Sequence, residues 1–83
     1  MKLFVFAVRD RAIDAFGVPF YNQHSGGAIR MFGDMVNQKD NQFGQHPEDF
    51  DLYLLGEYDD ASGMFDCSSP RQLAVGKDLV RGG

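Results

Sequence analysis

The order of apolar and polar residues at the start of the chain predicts a β-strand with two apolar faces. The segment Lys2–Arg9 reads KLFVFAVR, and successive side chains of a strand point to opposite faces. One face would carry Leu3, Val5 and Ala7, and the other Phe4, Phe6 and Val8. Because neither face is polar, we expect this strand to lie in the centre of a sheet, or to be covered on its second face by a partner chain.

Further strands are predicted on both sides of a helical segment. Phe20–Asn22 is a candidate short strand after Pro19, a residue tolerated at strand starts and edges. Phe50–Tyr58 reads as a longer strand, and the turn residues Asp59–Gly63 would return the chain into a strand at Met64–Cys67. Because the connections are short, antiparallel pairing is favoured.

The pattern in the middle of the chain predicts one amphipathic helix. Ser25 is a candidate N-cap, since a serine hydroxyl accepts a hydrogen bond from the first helical turn. The segment Ala28–Asn37 then follows a helical period. Its apolar stripe consists of Ile29, Phe32, Met35 and Val36. Gly33 interrupts the helix, and we expect it to permit close approach to the sheet.

The C-terminal segment is predicted to hold a helical turn followed by a short strand. Ser69 followed by Pro70 is typical of a helix start, so a turn is expected through Leu73 and an end near Gly76. Leu79–Val80 would add the last strand.

These elements together predict an α+β fold. We expect a small, mainly antiparallel sheet of three to five strands with one main helix packed on a face. The 83 residues suffice for a single domain spanning residues 1–83. A first strand that is apolar on both faces, and exposed sheet edges, also favour a homodimer.

Charge is distributed unevenly along the chain, whose formal net charge is −4. Residues 40–66 contain eight acidic residues and no basic residue, whereas the segments on either side each carry a small excess of Lys and Arg. The distribution is that of an ordinary solvated surface or of a bipolar molecule with a basic face. An acidic total disfavours tight non-specific DNA binding, which Lys and Arg drive by releasing counterions.

Composition also bears on the compartment. Cys67 is the only cysteine, so no intramolecular disulfide can form, and a reducing environment is expected. We expect Cys67 to be a small core or edge residue, not a nucleophile. The apolar run Leu3–Val8 is too short for a signal peptide or a membrane span, so no membrane association is expected.

Residues with catalytic or metal-binding chemistry are few. His24 and His46 have no second His or Cys at ligand spacing, so no metal site is predicted. His46 precedes Glu48 and Asp49 in a polar loop that is expected to be solvated, whereas acid–base catalysis takes place in a water-poor cleft. We therefore expect neither catalytic residues nor a cofactor, and predict that the protein is not an enzyme.

Basic and aromatic residues are the remaining candidates for function. Arg9 and Arg11 stand at the end of the first strand, where two guanidinium groups can grip phosphates. The full set predicted to bind nucleic acid is Arg9, Arg11, Arg30, Lys39 and Lys77. The aromatic residues expected to be exposed are Tyr21, Phe43 and Tyr58. For Phe43 two interpretations stay open, either folding back onto the core or forming an exposed contact.

The residue blocks resemble a known family, the small non-structural protein of gokushoviruses and related microviruses, which are phages with single-stranded DNA genomes. The likeness covers nearly the whole chain. The blocks that carry it are Val8–Ala12, Asp14–Gly17, Pro19–Phe20, Ala28–Phe32, His46–Phe50, Leu52–Tyr53, Leu55–Gly56 and Leu73–Lys77. The resemblance implies a role in genome replication, in the stage that makes and packages single-stranded DNA, and hence a location in the cytoplasm of the bacterial host. It implies no catalytic motif.

Two functions from different classes follow as hypotheses. The first is a protein that binds single-stranded DNA in viral replication. The second is an adaptor that regulates a phage replication or packaging protein without touching DNA. Salt dependence discriminates between them, because DNA affinity falls steeply as salt rises.

Overall fold

The computed structural model describes residues 1–68 and 70–81, in which six strands and three helices form one α+β unit. The α+β class is confirmed. The strands are β1 (Lys2–Asp10), β2 (Ala15–Phe16), β3 (Phe20–Asn22), β4 (Phe50–Asp59), β5 (Met64–Asp66) and β6 (Arg71–Val75). The helices are α1 (Ser25–Val36), α2 (Gln42–Gln45) and α3 (Gly76–Leu79), with a 3₁₀ turn at Pro47–Asp49 before β4.

All strand pairs of the described chain are antiparallel, and β1 and β4 form the centre of the sheet. They pair along their whole length, from Lys2 opposite Asp59 to Asp10 opposite Phe50, with one register shift between Val5 and Phe6. β2 and β3 share the other edge of β1, while β5 and β6 share the other edge of β4. The sheet is therefore four strands wide, although six segments build it.

The strand count exceeds the predicted three to five because two edge positions are each divided between two short strands. β2 contains only two residues, and its pairing with Arg9 and Asp10 depends on the turn before it. Such a segment has no alternation to detect, since period-2 patterns need at least four residues.

The core lies between α1 and one face of the sheet. Phe6 and Leu52 from the two central strands and Ala28 and Phe32 from α1 are all completely buried. Phe43 of α2 and Leu79 of α3 pack against the same cluster, so all three helices lie on this face. The predicted main helix on one face of the sheet is confirmed.

The helix begins one residue earlier than its sequence suggests. Ser25 is already helical and His24 is the N-cap, with no side-chain hydrogen bond to the helix. The side-chain oxygen of Asn22 accepts a hydrogen bond from the His24 amide at 3.0 Å, and this turn leads the chain directly into the helix. The prediction of Ser25 as N-cap was therefore wrong.

The C-terminal segment also differs from its predicted structure. Arg71–Val75 is a strand paired with β4, and the helical residues begin only at Gly76. The predicted helical turn through Leu73 and the strand at Leu79–Val80 were wrong, because pairing with β4 outweighs the local preference of this segment. Ser69, the proposed start of that turn, lies outside the described residues.

None of the helices in the described ranges is long and apolar enough to cross a membrane.

Candidate nucleic-acid interface

The face of the sheet opposite α1, here called the open face, carries an unusual set of side chains. Residues directly opposite each other in an antiparallel pair share a face, so the register assigns its members. On the central strands they are Leu3, Val5, Ala7 and Arg9 of β1, with Tyr58, Gly56, Tyr53 and Asp51 opposite them on β4. The outer strands add Phe16, Tyr21, Phe65, Gln72 and Val75.

Three aromatic rings form a cluster at the end of the open face nearest the start of β1. Tyr58 and Phe65 are cross-strand partners with ring centroids 4.7 Å apart. Tyr21 lies 5.9 Å from Tyr58 and 6.5 Å from Phe65. This cluster spans the sheet from β3 to β5, so it brings together residues from three strands.

A second pair of rings lies toward the other end of the open face. Phe16 of β2 meets Tyr53 of β4 edge to face, with centroids 5.2 Å apart and planes at 83°. Because Tyr53 is opposite Ala7 while Tyr58 is opposite Leu3, the two clusters are about 13 Å apart along the strands.

The rings bury the small residues of the open face but stay accessible themselves. Val5 is 3% exposed and Ala7 is fully buried, although neither lies beneath a helix. Phe65 is 55% exposed, and Phe16 and Tyr21 are each 46% exposed. Exposed aromatic rings that cluster on one face in this way are characteristic of an interaction site.

Arg9 is the basic residue of the open face and is held at its edge. Its guanidinium forms an ion pair with Asp14, whose backbone has a positive φ of 53°. The hydrogen bond with Asp14 raises the pKa of Arg9 above its ordinary value, so Arg9 is cationic at all relevant pH values. Asp14 is the exposed member of the pair, so solvent and other anions reach this site.

The guanidinium group of Arg11 is engaged in contacts within the fold. Its Nε lies 3.1 Å from Oδ2 of Asp51, whose side chain is only 3% exposed. A guanidinium nitrogen of Arg11 also donates to the backbone oxygen of Glu48. The structure therefore gives Arg11 two intramolecular partners, one of which is a carboxylate of opposite charge.

The other three predicted basic residues lie away from the open face. Arg30 is on the exposed side of α1 and has no ion pair within residues 1–68 and 70–81, because Asp34 pairs with Arg81 instead at 3.0 Å. Lys39 follows α1, and Lys77 belongs to α3, which packs against α1. The five predicted residues therefore do not form one surface, since helix and sheet separate Arg9 from Arg30 and Lys77.

The polar loop before β4 brings His46, Glu48 and Asp49 together. One potential ligand atom from each lies within 4.8 Å of the others, and the His46 imidazole is 4.0 Å from a Glu48 carboxylate oxygen. Their closeness in sequence predicts this proximity, and the 3₁₀ turn at Pro47–Asp49 holds the three side chains together. The set is open to solvent and offers fewer ligands than a structural zinc site requires.

A recess of about 690 Å³ lies between the ends of β5 and β6. Its apolar part includes Phe4 and Leu54, and its charged groups are Glu57, Asp66 and Arg71. Two carboxylates against one guanidinium disfavour a phosphate backbone. We therefore place the nucleic-acid candidate on the open face, where the exposed rings and Arg9 lie.

Several aromatic residues of the open face were not among the predicted exposed residues. Tyr21 was correctly expected to be exposed, but Tyr58, also expected to be exposed, is half-buried because its ring packs against those of Tyr21 and Phe65. The exposed Phe16 and Phe65 and the half-buried Tyr53 were not named. Phe43, for which two interpretations stood open, folds onto the core with its ring 4.7 Å from that of Phe50. Cys67 is exposed beyond β5, so its core alternative was wrong.

Known proteins are similar to this chain over most of its length. The family model described as Phage ORF5 protein matches residues 3–79. Protein ORF5 of Chlamydia phage 1 is 33% identical over 69 residues, which cover 78% of this chain and 72% of that protein. No solved structure matches this chain.

Proposed function

The chain belongs to the Phage ORF5 protein family, and on this premise we propose that it binds single-stranded DNA through the open face during replication of a phage genome. The resemblance to the small gokushovirus protein is thereby confirmed. The proposal concerns binding and not catalysis, and it places the protein in the cytoplasm of the bacterial host.

The exposed aromatic rings of the open face carry the proposal. Proteins that bind single strands without sequence preference stack bases on aromatic side chains, and each stacked base contributes about 1–3 kcal/mol. Phe16, Tyr21 and Phe65 are accessible rings on one sheet face, and the half-buried Tyr53 and Tyr58 extend them across the central strands. A duplex cannot use this surface in the same way, since its bases are stacked on each other.

Charge on the open face is compatible with a phosphate backbone. Asp51 is its only acidic residue by register, and it is buried against Arg11. Arg9 is the cation of this face, with 29% of its side chain exposed, and its ion pair with the exposed Asp14 can be exchanged for one with a phosphate. Because one arginine contributes to the surface, we expect modest affinity and a shallow salt dependence.

Fluorescence anisotropy with a labelled oligonucleotide of about 16 nucleotides tests the proposal, since this length covers the usual site size of one small domain. We expect binding at about 50 mM salt that weakens at about 200 mM, and weaker binding to a duplex of the same sequence. Phe65→Ala should lower the affinity about tenfold, the loss of roughly one stacked base. Arg9→Gln should reduce the slope of log affinity against log salt concentration by the contribution of about one phosphate contact.

The matched control is Met31→Ala. Met31 is an exposed apolar side chain (41%) on α1, on the opposite side of the sheet, so its removal should leave DNA affinity unchanged. Equal losses for Phe65→Ala and Met31→Ala would contradict a site on the open face. No binding at low salt with tens of micromolar protein would contradict the DNA-binding function itself.

A second function is favoured by a separate observation. The loop between β1 and β3 exposes Ile13 (71%) and Val18 (87%), and such apolar side chains suit a protein partner better than a phosphate backbone. An adaptor of this kind would bind a phage replication or packaging protein through these residues. Salt-independent association that Val18→Ser abolishes, without any DNA binding, would support this function over the first.

A further inference from the structure

A small cavity opens where β1 and β2 meet α2. Its volume is about 170 Å³, and Val8 and Phe50 of the core form part of its wall together with Phe43. Phe16 also lines it. Because its walls are mainly aromatic and aliphatic, the cavity suits a flat apolar ring.

The volume of the cavity is close to that of one flat ring. A protein cavity of about 150 Å³ lined by apolar side chains accommodates benzene, so a space of about 170 Å³ matches one six-membered ring. Among the bases of DNA, the pyrimidines match this volume more closely than the purines.

The polar side chains at the cavity are those of Asp10 and Gln42. The Gln42 amide can both donate and accept hydrogen bonds, so Asp10 is the group that can discriminate between the two pyrimidines. One carboxylate oxygen of Asp10 accepts a hydrogen bond from the Ala12 amide at 2.9 Å. An ionised carboxylate can only accept hydrogen bonds, and it retains lone pairs for a ligand. Cytosine presents an amino donor at N4, whereas thymine presents an acceptor oxygen at the same position.

The cavity lies on the helix side of the sheet, beside the edge strand β2, and Phe16 is the residue that it shares with the open face. Phe16 both lines the cavity and contacts Tyr53 on the open face. β2 is an edge strand of two residues, so only one strand width, about 5 Å, separates β1 from solvent there. A flexible single strand on the open face can pass this edge and insert one base.

We propose that this cavity binds one cytosine of the single strand, with Asp10 accepting a hydrogen bond from the N4 amino group. The inference rests on the proposed function and adds a base preference to it. The stacked rings bind any base, while the cavity discriminates cytosine from thymine.

Competing oligonucleotides test the proposal. Oligo(dT) of about 16 nucleotides is compared by anisotropy with the same oligomer carrying cytosines at its central positions. We expect the cytosine oligomer to bind about tenfold more tightly, the effect of one hydrogen-bonded base contact. In Asp10→Asn this preference should disappear, because the amide can donate to thymine as readily as it accepts from cytosine.

The matched control is Asp40→Asn, which makes the same charge change at an exposed site in the loop after α1 and should retain the preference. Ala15→Leu provides a second variant, since Ala15 lines the cavity and a larger side chain would fill it. We expect that variant to lose the cytosine preference while keeping its affinity for oligo(dT).

The outcomes separate this inference from the proposed function. Equal affinity of the wild type for both oligomers, with Phe65→Ala still weakening both, would overturn the cytosine cavity and leave the open face as a DNA site. A cytosine preference that persists in Asp10→Asn and in Ala15→Leu would also overturn the cavity. If neither oligomer binds, the DNA-binding function fails, and the cavity assignment fails with it.

Discussion

Asp51 is a buried carboxylate whose counter-charge comes from one arginine. Its carboxylate is buried on the open face, directly opposite Arg9 in the register, but it is Arg11 that supplies the counter-charge. Its Oδ1 has no hydrogen-bond partner within the described chain, whereas buried polar atoms are usually satisfied. Asp51 therefore depends on Arg11, and Arg11 is first a structural residue.

Removing Arg11 tests this dependence. We expect Arg11→Ala to lower the free energy of unfolding by about 3 kcal/mol, because it leaves a buried carboxylate without a counter-charge. In the Asp51→Asn background the same change should cost clearly less, since no charge then remains to be compensated. Urea unfolding of the wild type, the two single variants and the double variant measures the difference. Equal losses in both backgrounds would contradict the coupling.

A second residue-level prediction concerns acid. The Ala61 amide donates to the Asp59 side chain at 2.9 Å, and this hydrogen bond is the main cause that lowers the pKa of Asp59. A carboxyl whose folded-state pKa lies below its unfolded-state value stabilises the fold above the unfolded-state pKa. That contribution is lost as the pH falls through the lowered folded-state pKa, below about pH 4.

Asp59→Asn is the variant for this measurement, because an amide oxygen still accepts from Ala61 but does not titrate. We expect the variant to lose less stability than the wild type between about pH 4 and pH 2. Urea unfolding at several pH values in this range gives the comparison. Parallel pH profiles for the two proteins would show that Asp59 contributes nothing to acid sensitivity.

At the scale of elements, α1 is held by its packing more than by its sequence. It contains three glycines, each of which costs a helix interior roughly 1 kcal/mol relative to alanine. The buried side chains Phe32 and Val36 compensate by packing on the sheet. Gly33 faces Leu79 of α3 and not the sheet as expected, with room for a Cβ at 3.8 Å from the nearest Leu79 atom.

The space around a glycine decides the effect of replacing it with alanine, and it leads to opposite predictions for Gly33 and Gly44. Gly33→Ala should raise the free energy of unfolding by about 0.5–1 kcal/mol, because the methyl group fits and the unfolded chain loses freedom. Gly44→Ala in α2 should destabilise the protein, since its Cβ would lie within 2 Å of the Gln38 backbone oxygen. Thermal unfolding of both variants checks the contrast. Destabilisation by Gly33→Ala would contradict the packing of α1 against α3.

At the scale of the whole molecule, the described helices all lie on one face of the sheet and leave the open face uncovered. The sheet is four strand positions wide, and its central strands contain nine and ten residues, so this face measures roughly 20 by 30 Å. A standard interface takes about 800 Å² from each partner. The open face is of the same order of size, and the homodimer expected from the apolar β1 stays a prediction.

We expect the homodimer and single-stranded DNA to compete for the open face. Sedimentation velocity should detect a dimer at micromolar concentration that dissociates when a saturating oligonucleotide is added. Phe65→Ser should weaken the dimer, and Met31→Ser on the helix side should not. A monomer at all accessible concentrations would contradict the dimer, and a dimer that persists with DNA bound would place its interface elsewhere.

The periodic elements were predictable from the sequence. β1, β4 and α1 were found within a few residues of their predicted bounds, because alternation and helical spacing are local properties of the chain. The α+β class followed from them. The short strands β3 and β5 were also predicted, because Pro19 and the turn residues Asp59–Gly63 mark where they begin. β2 has neither a period nor such a signal and was missed, and β6 was mistaken for a helical turn because its strand depends on pairing with β4.

The candidate site could be predicted only in part. The sequence by itself determined that β1 is apolar on both faces, that acids dominate the middle of the chain, and that Arg9 stands at a strand end. Only the tertiary structure decided which aromatic residues meet. Phe16, Tyr53 and Phe65 lie on three strands, and their common face depends on cross-strand register, which is a non-local property. The same reason applies to Arg11, whose partner lies 40 positions later in the sequence.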